Sequence, residues 1–148
     1  LADADGVDDL DPIRIKGALA ELSEAALGPV EDALGAKDIK GLTRALARVG
    51  KTHKDDPTIR VVRMLGRTVR LWYQVMSLPG DPAQVAGELG LNLYRFKTFI
   101  RPAAQRWGQD GARKLIDILA VSERGLLEGN LDPWTALSAR LLEACSQR

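Results

Sequence analysis

Four features of this chain combine residue types and spacings that could do chemistry. The first is Gly50-Lys51-Thr52, the closing tripeptide of a phosphate-binding loop. Such a loop needs a further glycine five residues earlier, between a strand and a helix, so that backbone amides wrap the phosphates. Ala45 stands there, in a helical pattern, and the tripeptide reads instead as a helix end followed by a polar loop, Gly50 to Asp55. The second is His53, in that same run with Lys51, Lys54, Asp55 and Asp56. A His–Asp pair can act as a general base, but no serine or cysteine nucleophile is placed beside it, and it reads as an exposed loop histidine. The third is Cys145, on an apolar helix face near the chain's end, which reads as a packed small hydrophobe. The fourth is the row Arg60, Arg63, Arg67 and Arg70, whose steps of three, four and three lay a basic stripe along one helix.

With one histidine and one cysteine, the chain has no His-pair metal motif, no cysteine-cluster zinc site and no internal disulfide framework. The acids are scattered, with no pair that periodicity puts on one inward face. No catalytic site, cofactor or metal is therefore expected. The arginine row points to an interface with an acidic partner or with phosphate, or to a solvated or salt-bridged face. Tyr and Phe do not interleave it as a base-stacking platform requires. By its spacing the row is expected beside the apolar face rather than opposite every part of it, and Trp72 marks that face.

Apolar residues make up 45% of the chain and charged residues 28%, which supports a packed domain rather than disorder. No apolar run approaches the ~20 residues of a membrane-spanning helix. The net charge of +1 conceals an asymmetry: residues 1–36 carry −7, residues 37–74 carry +7, and the remainder carries +1. The basic middle segment would suit phosphates or an acidic protein surface, or an acidic segment folded against it, and the alternative function it suggests is a stand-alone helical nucleic-acid-binding domain using residues 37–74. The acidic opening, Leu1 to Asp11, has no helical period and reads as a connector from a preceding part.

The elements that must position these residues announce themselves by repeated start signals. Asp-Pro occurs at Asp11-Pro12, Asp56-Pro57, Asp81-Pro82 and Asp132-Pro133. The aspartate caps first-turn amides, and proline fits the first helical position, where no N–H is needed. Pro29 after Gly28 reads as the start of another short helix. Apolar stripes follow at Ile15, Leu19, Leu22 and Ala26, then at Ile39, Leu42, Leu46 and Val49. Ile59, Val62, Leu65, Val69, Trp72 and Met76 form a third, and Leu115, Leu119 and Leu126 a fourth that Gly129 should end. Trp134, Leu137 and Leu141 face the core from the last helix. Thr58 to Val62 is β-branched but lies on the third stripe and is read as helix. Ser77 to Pro82 is a turn cluster, and Pro102 should kink its helix or divide it in two. The fold class is all-α, a bundle of about six to eight helices without a sheet.

Three stretches resemble the C-terminal region of the delta subunit of the bacterial DNA polymerase III clamp loader. Pro29 to Val49 is similar to that family's short helix, Ala-Leu-x-Gly/Ala turn and Leu-rich helix. Leu65 to Leu71 (LGRTVRL) resembles its Leu-x-Arg-x-x-Arg-Leu, and Leu115 to Leu141 resembles its penultimate helix, glycine turn and terminal helix. The chain departs from the pattern at Glu123, Leu127 and Asn92-Leu93. The resemblance implies a collar domain over residues 28–148, with 1–27 as a connector and the tail of an AAA+ lid module. Collars pack into a ring that holds a pentameric loader together in the cytoplasm. The implied partners are the ATPase and delta-prime type subunits. The sliding clamp would be met only through a further N-terminal module, and DNA indirectly, with no membrane contact. On this view Arg60, Arg63, Arg67, Arg70 and Trp72 are the candidate interface residues, and no cofactor or catalysis is implied.

Overall fold

A computed structural model describes residues 26–52, 55–129 and 131–147. Every regular element among them is helical. The expectations for Asp11-Pro12, for Ile15, Leu19 and Leu22, for the acidic opening and for His53 lie outside the described residues.

Helix α1 covers residues 26–36, and α2 spans Ile39–Thr52. Pro29 does not open α1, because Ala26 and Leu27 are already helical and buried in the same core as Val30 and Leu34. Lys37 steps into the left-handed region at φ 53°, and Asp38 then caps α2 by accepting the Gly41 N–H at 3.0 Å. That reversal sets α2 against the last helix. Leu42, Leu46 and Val49 are buried as their spacing requires, but Ile39 is exposed, since it stands in the first turn.

Helix α3, Thr58–Ser77, is the central rod. Its β-branched start is helical, as the shared stripe indicates. Asp56 accepts the Thr58 N–H and hydroxyl, so the cap acts on the helix's first residue while Pro57 has near-helical angles. The buried set is Val61, Val62, Leu65, Val69, Trp72 and Val75, so the core line runs slightly off the one drawn through Ile59 and Met76. Helix α4, Pro82–Glu88, and helix α7, Pro133–Ser146, are capped as read: Asp81 accepts from the Gln84 N–H at 2.8 Å and Asp132 from the Thr135 N–H at 3.1 Å.

Between α4 and α7 lies the longest helical run. Asn92 caps the short α5, Leu93–Arg95, which passes through a π turn, Phe96–Ile100, into α6, Arg101–Leu127. The Arg101 N–H reaches back to the Phe96 carbonyl, a wider closure than an α turn. Pro102 follows at once and has no N–H to return, so the disturbance it causes is taken up as a π turn rather than a sharp kink. The break comes instead at Gly108, with φ 72° and ψ 175°, angles that favour glycine and divide α6 into two segments. Gly129, at φ 77°, follows the end of α6 as its spacing predicts.

The most extensive helix pairing is α3 against α6, with α7 packed on α6 and on α2. One continuous core joins all of them, from Val30 and Leu34 through Leu65, Val69 and Trp72 to Leu115, Leu137 and Leu141.

Candidate functional site

Burial sorts the candidates at once. Arg60, Arg63, Arg67 and Arg70 are all exposed on α3. At 100° per residue their mean direction lies roughly 180° from that of the buried set, so the row is opposite the core rather than beside it. The expectation failed because it took the stripe through Ile59 and Met76, whereas the packed line includes Val61 and Val75. Neither Asp nor Glu occurs anywhere in α3, so the whole outer face carries one sign of charge.

Trp72 is corrected more sharply. It is 2% exposed and cannot offer an apolar patch to a partner. Its ring packs under α1, where a Cβ on Gly35 would stand 3.4 Å from it and 3.0 Å from the Ala103 Cβ. The glycine thus permits close approach of α1 to α3 and α6.

The first half of α6 uses its polar groups to hold that junction. Trp107 donates its indole N–H to the Leu34 carbonyl at 2.8 Å, and the Arg106 guanidinium donates to the Gly35 carbonyl at 2.6 Å. These carbonyls belong to the last turn of α1, where intrahelical donors run out, and the Leu34 oxygen also accepts the Lys37 N–H at 3.1 Å. Lys37 stands 4.4 Å over the Trp107 ring, and its ammonium donates to the Gln147 carbonyl at 3.3 Å. Further along, Arg113 donates to the Tyr73 hydroxyl at 3.3 Å. These cations are tied into the fold.

Next to the junction is a cleft of about 330 Å³, floored by Trp72, Ile100 and Ala103 and edged by Phe99. Its rim has Arg95 3.9 Å from Glu31, with the guanidinium 5.8 Å from the Phe99 ring centre. Phe99 is 49% exposed and the neighbouring Tyr94 73%, which makes this the place where aromatic surface meets water. Sequence reasoning missed both; Tyr94 and Phe99 lay in a segment that read simply as helix around a proline.

A second basic row was also missed. Lys40, Arg44, Arg48 and Lys51 are exposed on α2, which likewise has no acidic residue. The sequence counts them only within the basic segment 37–74, and their spacing of four, four and three is what sets them on one face.

The remaining candidates are structural. Gly50, Lys51 and Thr52 continue α2 instead of forming a loop, and the Thr52 hydroxyl is spent on the Arg48 carbonyl at 2.7 Å. A Cβ on Gly50 would lie 2.8 Å from the Trp134 indole nitrogen, so the glycine there serves helix packing. Cys145 is buried, and burial pushes its thiol up to about 11, which leaves it protonated at neutral pH. Among the described residues, no three His, Cys, Asp or Glu side chains gather as a metal site would need, and no helix is long and apolar enough to cross a membrane.

What this geometry offers is a packed helical body with two one-signed basic faces and an aromatic-edged cleft. Comparison with known protein families, with curated proteins and with solved structures found nothing that matches this chain.

Proposed function

We propose that this chain is the helical collar of a delta-type clamp-loader subunit, a non-catalytic domain that assembles with other loader subunits. The observation that carries the reading is where the three resembling stretches fall. Ala33-Leu34-Gly35-Ala36 closes α1, the Lys37 turn follows, and α2 is the leucine-bearing helix after it. Leu65 to Leu71 occupies the middle of α3, with Leu65 and Val69 buried and Arg67 and Arg70 outside. Leu115 to Leu141 covers the end of α6, the Gly129 turn and most of α7. Helix, turn and helix thus succeed one another in the order the family pattern requires.

An assembling domain also needs anchors and a polar rim. Stable interfaces draw their energy from a few apolar or aromatic side chains, with charged groups fixing partner and register. Tyr94 and Phe99 provide exposed aromatics, and Leu127 and Leu131, 86% and 104% exposed, provide aliphatic ones. Arg63, Arg67 and Arg70 provide the polar face, together with Arg60.

The test mixes this chain with the collar region of the ATPase loader subunit and follows light scattering after size exclusion, at low and moderate salt. A defined heteromer that survives moderate salt is expected. Failure to form one at either salt would overturn the reading.

A further inference from the structure

The basic row on α2 is not used by the collar reading, and its surroundings favour a different occupant. Lys40, Arg44, Arg48 and Lys51 fall within about 80° of arc, centred roughly opposite the buried Leu42, Leu46 and Val49. From Lys40 to Lys51 the helix rises about 16 Å, so neighbouring charges on the face stand roughly 5.5 Å apart along the axis. A strand of duplex nucleic acid presents one phosphate per about 3.4 Å of axis. The two rows are complementary in sign, the cations being the more widely spaced.

Shape agrees with charge. A shallow groove is lined by Arg44, Ala47, Arg48, Lys51 and Thr52, with the small Ala47 between the cations. Thr43 and Thr52 turn their hydroxyls to carbonyls of their own helix, Ile39 at 2.8 Å and Arg48 at 2.7 Å. Among the described residues none of the four cations is held in an ion pair. The row also contains no large apolar side chain. A protein interface needs such an anchor, whereas a phosphate backbone is bound by charge and hydrogen bonds without one. On the side of α2 that meets α1, Asp32 and Asp38 share a second groove with Arg44 and Arg48. The groove of Arg44, Ala47, Arg48, Lys51 and Thr52 has no acidic lining residue, and the path for phosphates runs there.

We infer that the outer face of α2 binds the phosphate backbone of a nucleic-acid duplex, without reading its sequence, through Arg44, Arg48 and Lys51. Binding of this kind is weak, roughly 10⁻⁴ to 10⁻⁶ M at physiological salt, and tightens steeply as salt falls.

Fluorescence anisotropy of a labelled DNA duplex of arbitrary sequence, titrated with the full chain over a series of salt concentrations, tests this. Three phosphate contacts predict a slope of log K against log salt near −3, at about 0.9 per phosphate. The triple change Arg44→Gln, Arg48→Gln, Lys51→Gln should weaken binding at low salt at least tenfold and flatten that slope. Replacing both arginines with lysine should retain most of the affinity, since a point charge suffices. Circular dichroism of each variant should match the parent. The inference is overturned if the parent shows no salt-dependent binding, or if the triple variant binds as the parent does. It is also overturned if Arg63→Gln, Arg67→Gln, Arg70→Gln costs as much as the α2 change, or if polyglutamate binds more tightly than the duplex. Loader assembly is read separately by light scattering, so the two proposals fail independently.

Discussion

Helices α3 and α6 pack on each other along the centre of the molecule and treat their charges in opposite ways. The outer face of α3 carries Arg63, Arg67 and Arg70 with no acid on the helix. Helix α6 mixes signs, Arg106, Asp110, Arg113, Lys114 and Asp117, and it attaches two of its cations to named groups: Arg106 to the Gly35 carbonyl and Arg113 to the Tyr73 hydroxyl. The difference separates arginines that build the fold from arginines that face outward. Net charge and residue count cannot make that distinction; geometry can. It predicts that substitutions at the tied groups of α6 will cost stability and, on the collar reading proposed above, that α3 substitutions will cost association.

The largest effect should come where α6 clamps α1. Trp107→Ala removes a ring that is 8% exposed together with its hydrogen bond to the Leu34 carbonyl. Large-to-small changes at such positions cost about 3–5 kcal/mol, and urea denaturation should show this as a shifted midpoint with unchanged slope. A loss below about 1 kcal/mol would mean that α1 does not depend on α6, and the contrast would fail.

Arg106→Ala tests whether a tied cation is worth more than an outward one. Its guanidinium satisfies a carbonyl at the end of α1, and losing that bond from a partly buried site should cost about 1 kcal/mol. The triple change of Arg63, Arg67 and Arg70 to Gln should stay within about 0.5 kcal/mol of the parent, as exposed substitutions do. On the collar reading proposed above, the same triple variant loses the heteromer with the ATPase-subunit collar. Equal stability losses for Arg106→Ala and the α3 triple would erase the distinction between the two helices.

The parts of this architecture that are local in sequence were legible there. Asp81 and Asp132 cap their helices because an Asp-Pro pair carries its whole instruction in neighbouring residues. Gly129 ends α6 for the same reason. Leu42, Leu46, Val49, Leu65 and Val69 are buried because a stripe at steps of three and four can face only one way. What failed depended on partners far along the chain. Gly50 looked like a helix terminus, but Trp134 on α7 requires a missing Cβ there while α2 continues. Trp72 looked available, but Gly35 and Ala103 close over it. The ties of Arg106 to Gly35 and Trp107 to Leu34 span more than 70 residues and leave no periodic trace. Gly108 could be read as an ordinary helical glycine until φ 72° showed the break. The arginine row was visible in type and spacing, yet its direction depended on which neighbouring line of apolar residues packs.

The smallest effect concerns a charge that is tied locally rather than across helices. Asp132 accepts hydrogen bonds from Thr135, and these hold its carboxyl below the ordinary carboxylate value. A group whose folded value is lowered stabilises the fold fully above its unfolded value, near 3.9 for aspartate, and loses that contribution as pH falls through the folded value. The effect should therefore be absent from the neutral range and confined to strongly acidic solution. Asp132→Asn keeps a side-chain oxygen to cap α7 but cannot titrate. Unfolding measured from neutral pH down to about pH 3 should show the parent's stability relative to Asp132→Asn falling at the acidic end alone. A difference that stays constant across that range would mean the Thr135 amide does not favour the ionised carboxylate. The cap would then rest on geometry without charge, and Asp132 would belong with the outward-facing groups of α3 instead of the tied ones of α6.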